Sequence, residues 1–409
     1  MRINRIRLTN FRNYGRLDVD VGPSVNIVYG DNGEGKTSLI ESVFTGSCVA
    51  SHKTSKDKEL VKIGESGYEI ILNMIDDDGI AYELKDNVEL RNDIPFRTLF
   101  CNNAQIPRIS DYVGICNTVI FAPEDLELVK GSPSERRRFI NLMITKISPV
   151  YINLIGNVEK FLKQRSESLK RAASSGKDFN MINAELDYWD YPLCDKMAEM
   201  IIYRYRYITI LGDIASKYHS IISGTKNENL ELKYSTITGC IELIETFLDE
   251  NDMRDVFIMH GLDKANFDAL RAIVSSHILK KMLSVRKYDI ERCVTSVSVK
   301  KDDVELLLNG AQMRIYSSQG QQRSAALSLK IAELEMLKKY TGSTPILLLD
   351  DVFSELDQNR RVSLVSAIKG TQIFITCTDR SYIEQEIASL AGNIGDIRYF
   401  CVKNGSIFS

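Results

Sequence analysis

Residues Gly30-Asp31-Asn32-Gly33-Glu34-Gly35-Lys36-Thr37 fit the pattern G-x-x-x-x-G-K-[ST], and their flanks restrict what they can form. Upstream, Val25, Ile27 and Val28 read as an apolar strand. Downstream, Leu39, Ile40, Val43 and Phe44 fall on one side of a helix running from Ser38 to Phe44. A strand, a glycine-rich turn and a helix in that order converge backbone N–H groups on phosphate oxygens at the helix N-terminus. Gly30, Asn32, Gly33, Gly35 and Ser38 are the expected cradle. Lys36 is placed to bridge β- and γ-phosphates, and the Thr37 hydroxyl to ligate Mg²⁺. ATP and Mg²⁺ are therefore the expected cofactors.

Two further motifs lie near the other end of the chain. Pro345-Ile346-Leu347-Leu348-Leu349-Asp350-Asp351 is an apolar run ending in two carboxylates. A buried parallel strand needs no polar alternation, and ligands sit at the C-terminal ends of such strands. Asp350 is placed to hold Mg²⁺, and Asp351 to orient the attacking water as a general base. Taken alone, the run reads equally well as a strand ending in a turn. Ser317-Ser318-Gln319-Gly320-Gln321-Gln322 precedes a helix marked by Ala325, Ala326, Leu329, Ala332 and Met336. An isolated Ser-Gln-Gly is an ordinary helix cap. Behind a phosphate loop, Ser318, Gly320 and Gln321 resemble the signature of ABC-type ATPases, which reaches the γ-phosphate of ATP bound to a partner subunit. Ser354-Glu355-Leu356-Asp357 resembles the loop that contacts the opposite site, with Asp357 the contacting residue and a helix cap. Residues 372–376 read as the next strand. Thr378 and Asp379 stand where transport-type ABC proteins carry a switch histidine, which disfavours a transporter subunit.

Between these ends the texture is helical. Over 134–220 and 241–290 apolar residues recur three and four apart, as in Ile155, Val158, Leu162 and Leu169 or Leu186, Trp189, Leu193 and Met197. Arg165 interrupts the first stripe, so a packed helical arm is expected rather than a long coiled coil. Residues 60–125 are strand-rich, at Tyr68 to Leu72, Ala81 to Leu84 and Thr118 to Phe121. The expectation is an α/β fold: an ABC-type P-loop ATPase head assembled from both chain ends, at 1–135 and 295–409, with an α-helical arm inserted at 136–294. Net charge is −3 over 409 residues, so any DNA binding must come from local patches rather than a global basic excess. The candidates are Arg136, Arg137 and Arg138; Lys160, Lys163 and Arg165; and Lys280 and Lys281. A solvated helix face is the ordinary reading of any one of them. No apolar run spans a bilayer, and the opening residues alternate like a strand rather than a signal peptide. A cytoplasmic protein without membrane association is expected. The eight scattered cysteines and four histidines show no metal-ligand spacing.

This layout, with a head split by an insertion, resembles the SMC, Rad50 and RecF group. About 160 intervening residues without a C-x-x-C hook single out the RecF family. Leu8-Thr9-Asn10-Phe11-Arg12-Asn13-Tyr14 is similar to that family's opening motif, and Ser51-His52-Lys53-Thr54 resembles its Ser-His-Arg-Thr. Residues 121–126, 130–139, 163–165, 318–323 and 350–357 also match. The resemblance implies a weak, DNA-associated ATPase that forms an ATP-dependent homodimer and grips double-stranded or gapped DNA. It further implies partnership with RecR, together with RecO, in loading RecA at single-strand gaps. Three departures stand out: Asn141 where the family has Asp, Val299-Lys300-Lys301-Asp302-Asp303 for Pro-His-Arg-Asp-Asp, and Lys53 for Arg. No glutamine occupies the loop that senses Mg²⁺ and water, leaving Glu124 and Asp125 as candidates. Two rival readings are a RecF-like ATPase of a defence or toxin system with a separate nuclease, and an SMC-like architectural DNA protein.

Overall fold

The computed structural model describes residues 1–175, 179–224, 227–352, 360, 361, 364, 370–378 and 396–408; side chains are described for the same residues except 173–175, 179 and 180. The chain forms two compact units. The first comprises Met1–Val129, Ala215–Glu228 and Ser318–Ser409, and the second Lys130–Ile214 and Asn229–Ser317.

The first unit holds two sheets. One is antiparallel, with strands β1 (Arg2–Phe11), β2 (Tyr14–Asp20), β4 (Gly67–Ile75), β5 (Ala81–Arg91), β6 (Ile94–Cys101) and β7 (Ala104–Ile106) in the order β2-β1-β4-β5-β6-β7. Alternation along β1 buries Ile6 and Leu8 while Arg5 and Arg7 point away, as expected for a sheet packed on one face. The other sheet interleaves the two chain ends. Strands β3 (Val25–Tyr29) and β8 (Thr118–Phe121) come from the first part of the sequence. Strands β12 (Ile346–Leu349), β13 (Ile373–Cys377), β14 (Ile397–Lys403) and β15 (Ser406–Phe408) come from the last. Their order is β15-β14-β3-β13-β12-β8, parallel throughout except at β15. Every residue of β8, β12 and β13 is buried, which is why these segments lack polar alternation. The expected α/β head built from both chain ends is thus realised.

Helix α1 (Lys36–Cys48) contacts strands of both sheets and is buried almost all round, not along a single stripe. Two of its buried hydroxyls are satisfied locally: Ser42 donates to Leu39 O at 2.6 Å and Ser47 to Phe44 O at 2.9 Å. Gly46 permits this packing, since a Cβ there would meet Ile70 Cγ2 at 2.8 Å. After the short helix α2 (Glu127–Lys130), the signature helix, α10 (Gln319–Thr341), completes the first unit and packs on β8.

The second unit contains α3 (Pro133–Ile147), α4 (Tyr151–Ser175), most of α5 (Phe179–Ser223), α6 (Ile241–Glu250), α7 (Arg254–Met259), α8 (Lys264–Arg292) and α9 (Met313–Tyr316). It also holds a small sheet, β11 (Ala311–Gln312), β10 (Asp303–Leu308) and β9 (Leu230–Ser235), in the order β11-β10-β9. Strand β9 is absent from the sequence reading, which saw only helices flanking it. Arg165 is fully buried and binds Asp190 at 2.7 Å and Asp289 at 2.9 Å, joining α4, α5 and α8. Arg286 closes the network with bonds to Asp187 and Asp190 at 2.6 and 2.7 Å. Arg136 is likewise buried and doubly bonded to Asp303, at 2.8 Å for each nitrogen. Neither guanidinium faces solvent, which removes Arg136 and Arg165 from the candidate DNA contacts. Two family departures meet in one buried cluster. Arg204 donates to Asn141 Oδ1 at 3.2 Å, to Val299 O at 3.0 Å and to Asp302 Oδ2 at 3.1 Å.

Candidate nucleotide site

The glycine-rich turn has the backbone that its sequence requires. Gly30, Gly33 and Gly35 adopt φ of 150°, 87° and 119°. At Gly30 a Cβ would lie 2.4 Å from Val402 O, so a side chain there would separate β3 from β14. Asn32 and Gly33 are exposed at the tip, and Thr37 and Ser38 are half-buried in the first turn of α1. Lys36 is buried, and its ammonium donates to Gly30 O at 2.7 Å and Asp31 O at 2.9 Å. The charge therefore lies inside the loop. The family's opening motif braces the turn from outside. Asn13 donates to Glu34 O and Tyr14 to Gly35 O, each at 3.0 Å. Arg12 clamps Glu41 of α1 with two bonds of 2.8 Å.

The two carboxylates end β12 beside this turn. Thr37 Oγ1 donates to Asp350 Oδ1 at 2.9 Å, joining residues 313 apart in sequence. Thr376 Oγ1 donates to the same oxygen at 2.8 Å and accepts from the Asp351 backbone N–H at 2.9 Å. Thr376, near the end of the neighbouring parallel strand, is read from the sequence as strand but not as a site residue. Its place follows from register, since Leu349 pairs with Ile375 and the next residues fall side by side. Asp351 sits at φ 59°, the left-handed conformation that non-glycine residues seldom adopt. Burial raises the pKa of Asp350, while the Thr376 and Thr37 hydroxyls and nearby Lys53 pull it down. A carboxylate and a threonine hydroxyl converging at the edge of a phosphate loop are hard oxygen donors of the kind that suits Mg²⁺.

The candidates for the missing glutamine part company. Glu124 Oε1 lies 3.3 Å from Lys53 Nζ, which in turn lies 3.8 Å from Asp350 Oδ2. Asp125 turns the other way. It caps its own turn by accepting from Ala122 N at 2.8 Å and stands 4.0 Å from buried Lys330 of α10. Burial pushes the Asp125 carboxyl up to about 6.

Ser318 caps α10 in a reciprocal pair with Gln321. The Ser318 N–H donates to Gln321 Oε1 at 2.8 Å, and the Gln321 N–H to Ser318 Oγ at 3.3 Å. The Gln321 amide donates to Glu228 Oε1 at 2.9 Å, and Glu228 Oε2 meets buried His219 at 3.1 Å. Arg360 donates to Gly320 O at 2.7 Å. Sequence reasoning missed Glu228, His219 and Arg360, which no local pattern marks. Thr378 is exposed. Asp357, with Ser354, Glu355 and Leu356, and Asp379 lie outside the described residues.

Comparison with known proteins fits this geometry. An AAA domain family matches residues 5–369. The DNA replication and repair protein RecF of Acetivibrio thermocellus is 34% identical, with 100% of each chain covered. The RecF of Lysinibacillus sphaericus is 35% identical, over 100% of this chain and 99% of that one. A solved structure of the recombination mediator protein RecF with ATP, of the RecFOR pathway, superposes with a TM-score of 0.81 at 29% identity, over 100% of this chain and 97% of that chain. An SMC head bound to the C-winged helix domain of ScpA matches at a TM-score of 0.50 and 13% identity, over 100% of this chain and 96% of that one, a likeness of fold alone. With relatives of this identity along its whole length and the ABC-type head described above, the chain belongs to the RecF family of DNA replication and repair proteins.

Proposed function

We propose that the chain is a DNA repair ATPase of the RecFOR pathway in which ATP acts as a clasp. The observation that carries this reading is the bond between Thr37 and Asp350, which closes the phosphate loop onto the acidic strand end. The cradle of Gly30, Asn32, Gly33, Gly35 and Ser38 binds the phosphates, and Lys36 swings from its carbonyl partners to the β- and γ-oxygens. Thr37 and Asp350 hold Mg²⁺, which neutralises phosphate charge when bound. Asp351 accepts a proton from the attacking water. The first compact unit is the ATPase head and the second the helical arm.

ATP closes two copies face to face, so that Ser318, Gly320 and Gln321 of one reach the γ-phosphate held by the other. The cap at Ser318 supports this, because it fixes a second helix N-terminus as an anion site. The closed dimer grips duplex or gapped DNA, and hydrolysis releases it. With RecR and RecO it helps load recombinase at single-strand gaps. Lys160, Lys163 and Lys280, exposed on α4 and α8, lead the remaining candidates for phosphate contacts, beside the half-buried Arg137, Arg138 and Lys281. The defence-system reading loses ground at Asn141 and Val299, which serve the buried Arg204 cluster. Sizing the protein with ATP, ADP or no nucleotide, with and without DNA, tests the clasp. A dimer is expected with ATP alone and should persist longer on DNA. A species whose size ignores the nucleotide would remove the reading.

A further inference from the structure

Lys53 follows α1 in the Ser51-His52-Lys53-Thr54 stretch, and nothing in the phosphate-loop chemistry above uses it. Its ammonium stands between two carboxylates, 3.3 Å from Glu124 Oε1 and 3.8 Å from Asp350 Oδ2. Asp350 is 3% exposed. Its Oδ1 takes both threonine hydroxyls, from Thr37 and Thr376, while its Oδ2 faces Lys53. A buried carboxylate is kept charged by hydrogen bonds and by a cation beside it, and Lys53 supplies the cation here. Glu124, by contrast, is half exposed and can hold an ammonium at little desolvation cost.

We propose that Lys53 is the resident counter-ion of Asp350 in the nucleotide-free protein, that it competes with Mg²⁺ for that carboxylate, and that Glu124 receives its ammonium when Mg²⁺ arrives. This rests on the reading of Asp350 as the Mg²⁺ ligand. A divalent ion and an ammonium on one carboxylate repel strongly at a separation of about 4 Å, so the two occupy it in turn. The four-carbon stem of Lys53 lets the charge shift toward Glu124 without backbone movement. The site then keeps a cation at Asp350 in either state, and Mg²⁺ binds firmly only when phosphates add their own charge.

The test measures binding of a fluorescent ADP analogue as Mg²⁺ is titrated, so that neither hydrolysis nor a γ-phosphate contact enters. Lys53→Met and Lys53→Gln should lower the Mg²⁺ midpoint roughly five- to tenfold, a range discounted for partial exposure of the pair. Lys53→Arg, which keeps the charge, should stay within about twofold of the wild type on the same reasoning. Thermal unfolding in EDTA establishes that each variant is folded. If ADP binding by the wild type ignores Mg²⁺, the reading of Asp350 as a ligand fails. If the wild type responds but both neutral variants keep or raise its midpoint, the competition by Lys53 is refuted. Loss of the folded state in both would make Lys53 a structural partner and equally overturn the proposal.

Discussion

Asp351 is the base of the proposed reaction. Its backbone N–H is fixed by Thr376 and its φ of 59° turns it away from the course of β12. Strain of this kind persists at sites where the surroundings impose it. Asp351→Asn keeps the shape and removes the proton acceptor. Calorimetry should show ATP binding within about threefold of the wild type, and single-turnover assays a fall in hydrolysis of about a hundredfold. An unchanged rate would move the base to Glu124. His52 offers a second prediction. Burial holds its pKa down to about 4, against 6.5 for a free imidazole. The unfolded chain therefore binds more protons between those values. The contribution of His52 to stability is whole above 6.5 and is lost as the pH falls toward 4. Asp125, pushed up to about 6, acts in the opposite sense: its contribution fades as the pH rises from 3.8 through that value. Among the described residues neither ring nitrogen of His52 has a hydrogen-bond partner, and the ring meets Phe44 edge-on at 5.8 Å. His52→Phe thus sacrifices no hydrogen bond. Urea unfolding at pH values between 4.5 and 7 should show the variant retaining on the order of 1–2 kcal/mol more than wild type on acidification. Parallel curves would mean that the ring titrates normally.

At the scale of elements, legibility followed locality. The turn at Gly30–Thr37 was readable because each of its constraints lies within eight consecutive residues. Thr376 and Lys53 were not, because sheet register and a loop path bring them to Asp350 from 26 and 297 positions away in sequence. Strand β9 was missed because six residues with Glu231 and Lys233 on one face stand between helical stretches, and their partner β10 lies far along the chain. Arg165 misled in another way. As a cation on a helix with Lys160 and Lys163 it resembles a DNA contact, yet it faces inward. Its two aspartate partners come from α5 and α8, which the local sequence of α4 does not announce. Removing one partner of a buried ion network leaves the others uncompensated. Arg165→Met should therefore cost roughly 3–5 kcal/mol in chemical denaturation of the helical unit. If the variant instead unfolds like wild type and binds DNA with a shallower salt dependence, the guanidinium serves DNA after all.

At the scale of the whole molecule, the proposed reading gives one chain two anion sites at helix N-termini, at α1 and at α10. The parts proposed for the first lie within the chain: hydrogen bonds of 2.7 to 2.9 Å join Lys36 to Gly30, and Thr37 and Thr376 to Asp350. The second is braced but holds no lysine of its own in its turn, since Ser318, Gly320 and Gln321 are engaged with one another, Glu228 and Arg360. Such a turn suits a triphosphate already gripped elsewhere, which is the role that the proposed facing subunit would supply. Ser318→Arg separates the two sites experimentally. The reciprocal cap with Gln321 is lost, at a cost of about 1 kcal/mol to the helix start. The larger effect is the bulk of a guanidinium where a γ-phosphate of the facing copy would approach. Equilibrium binding of ATP to the dilute monomer should remain within about twofold of wild type, because nothing in the Gly30–Thr37 cradle changes. Light scattering with ATP should show monomer where wild type gives dimer, and ATP-dependent DNA retention should fall in step. A variant that still doubles in mass on adding ATP would place the signature turn outside the contact and require a different surface for the clasp.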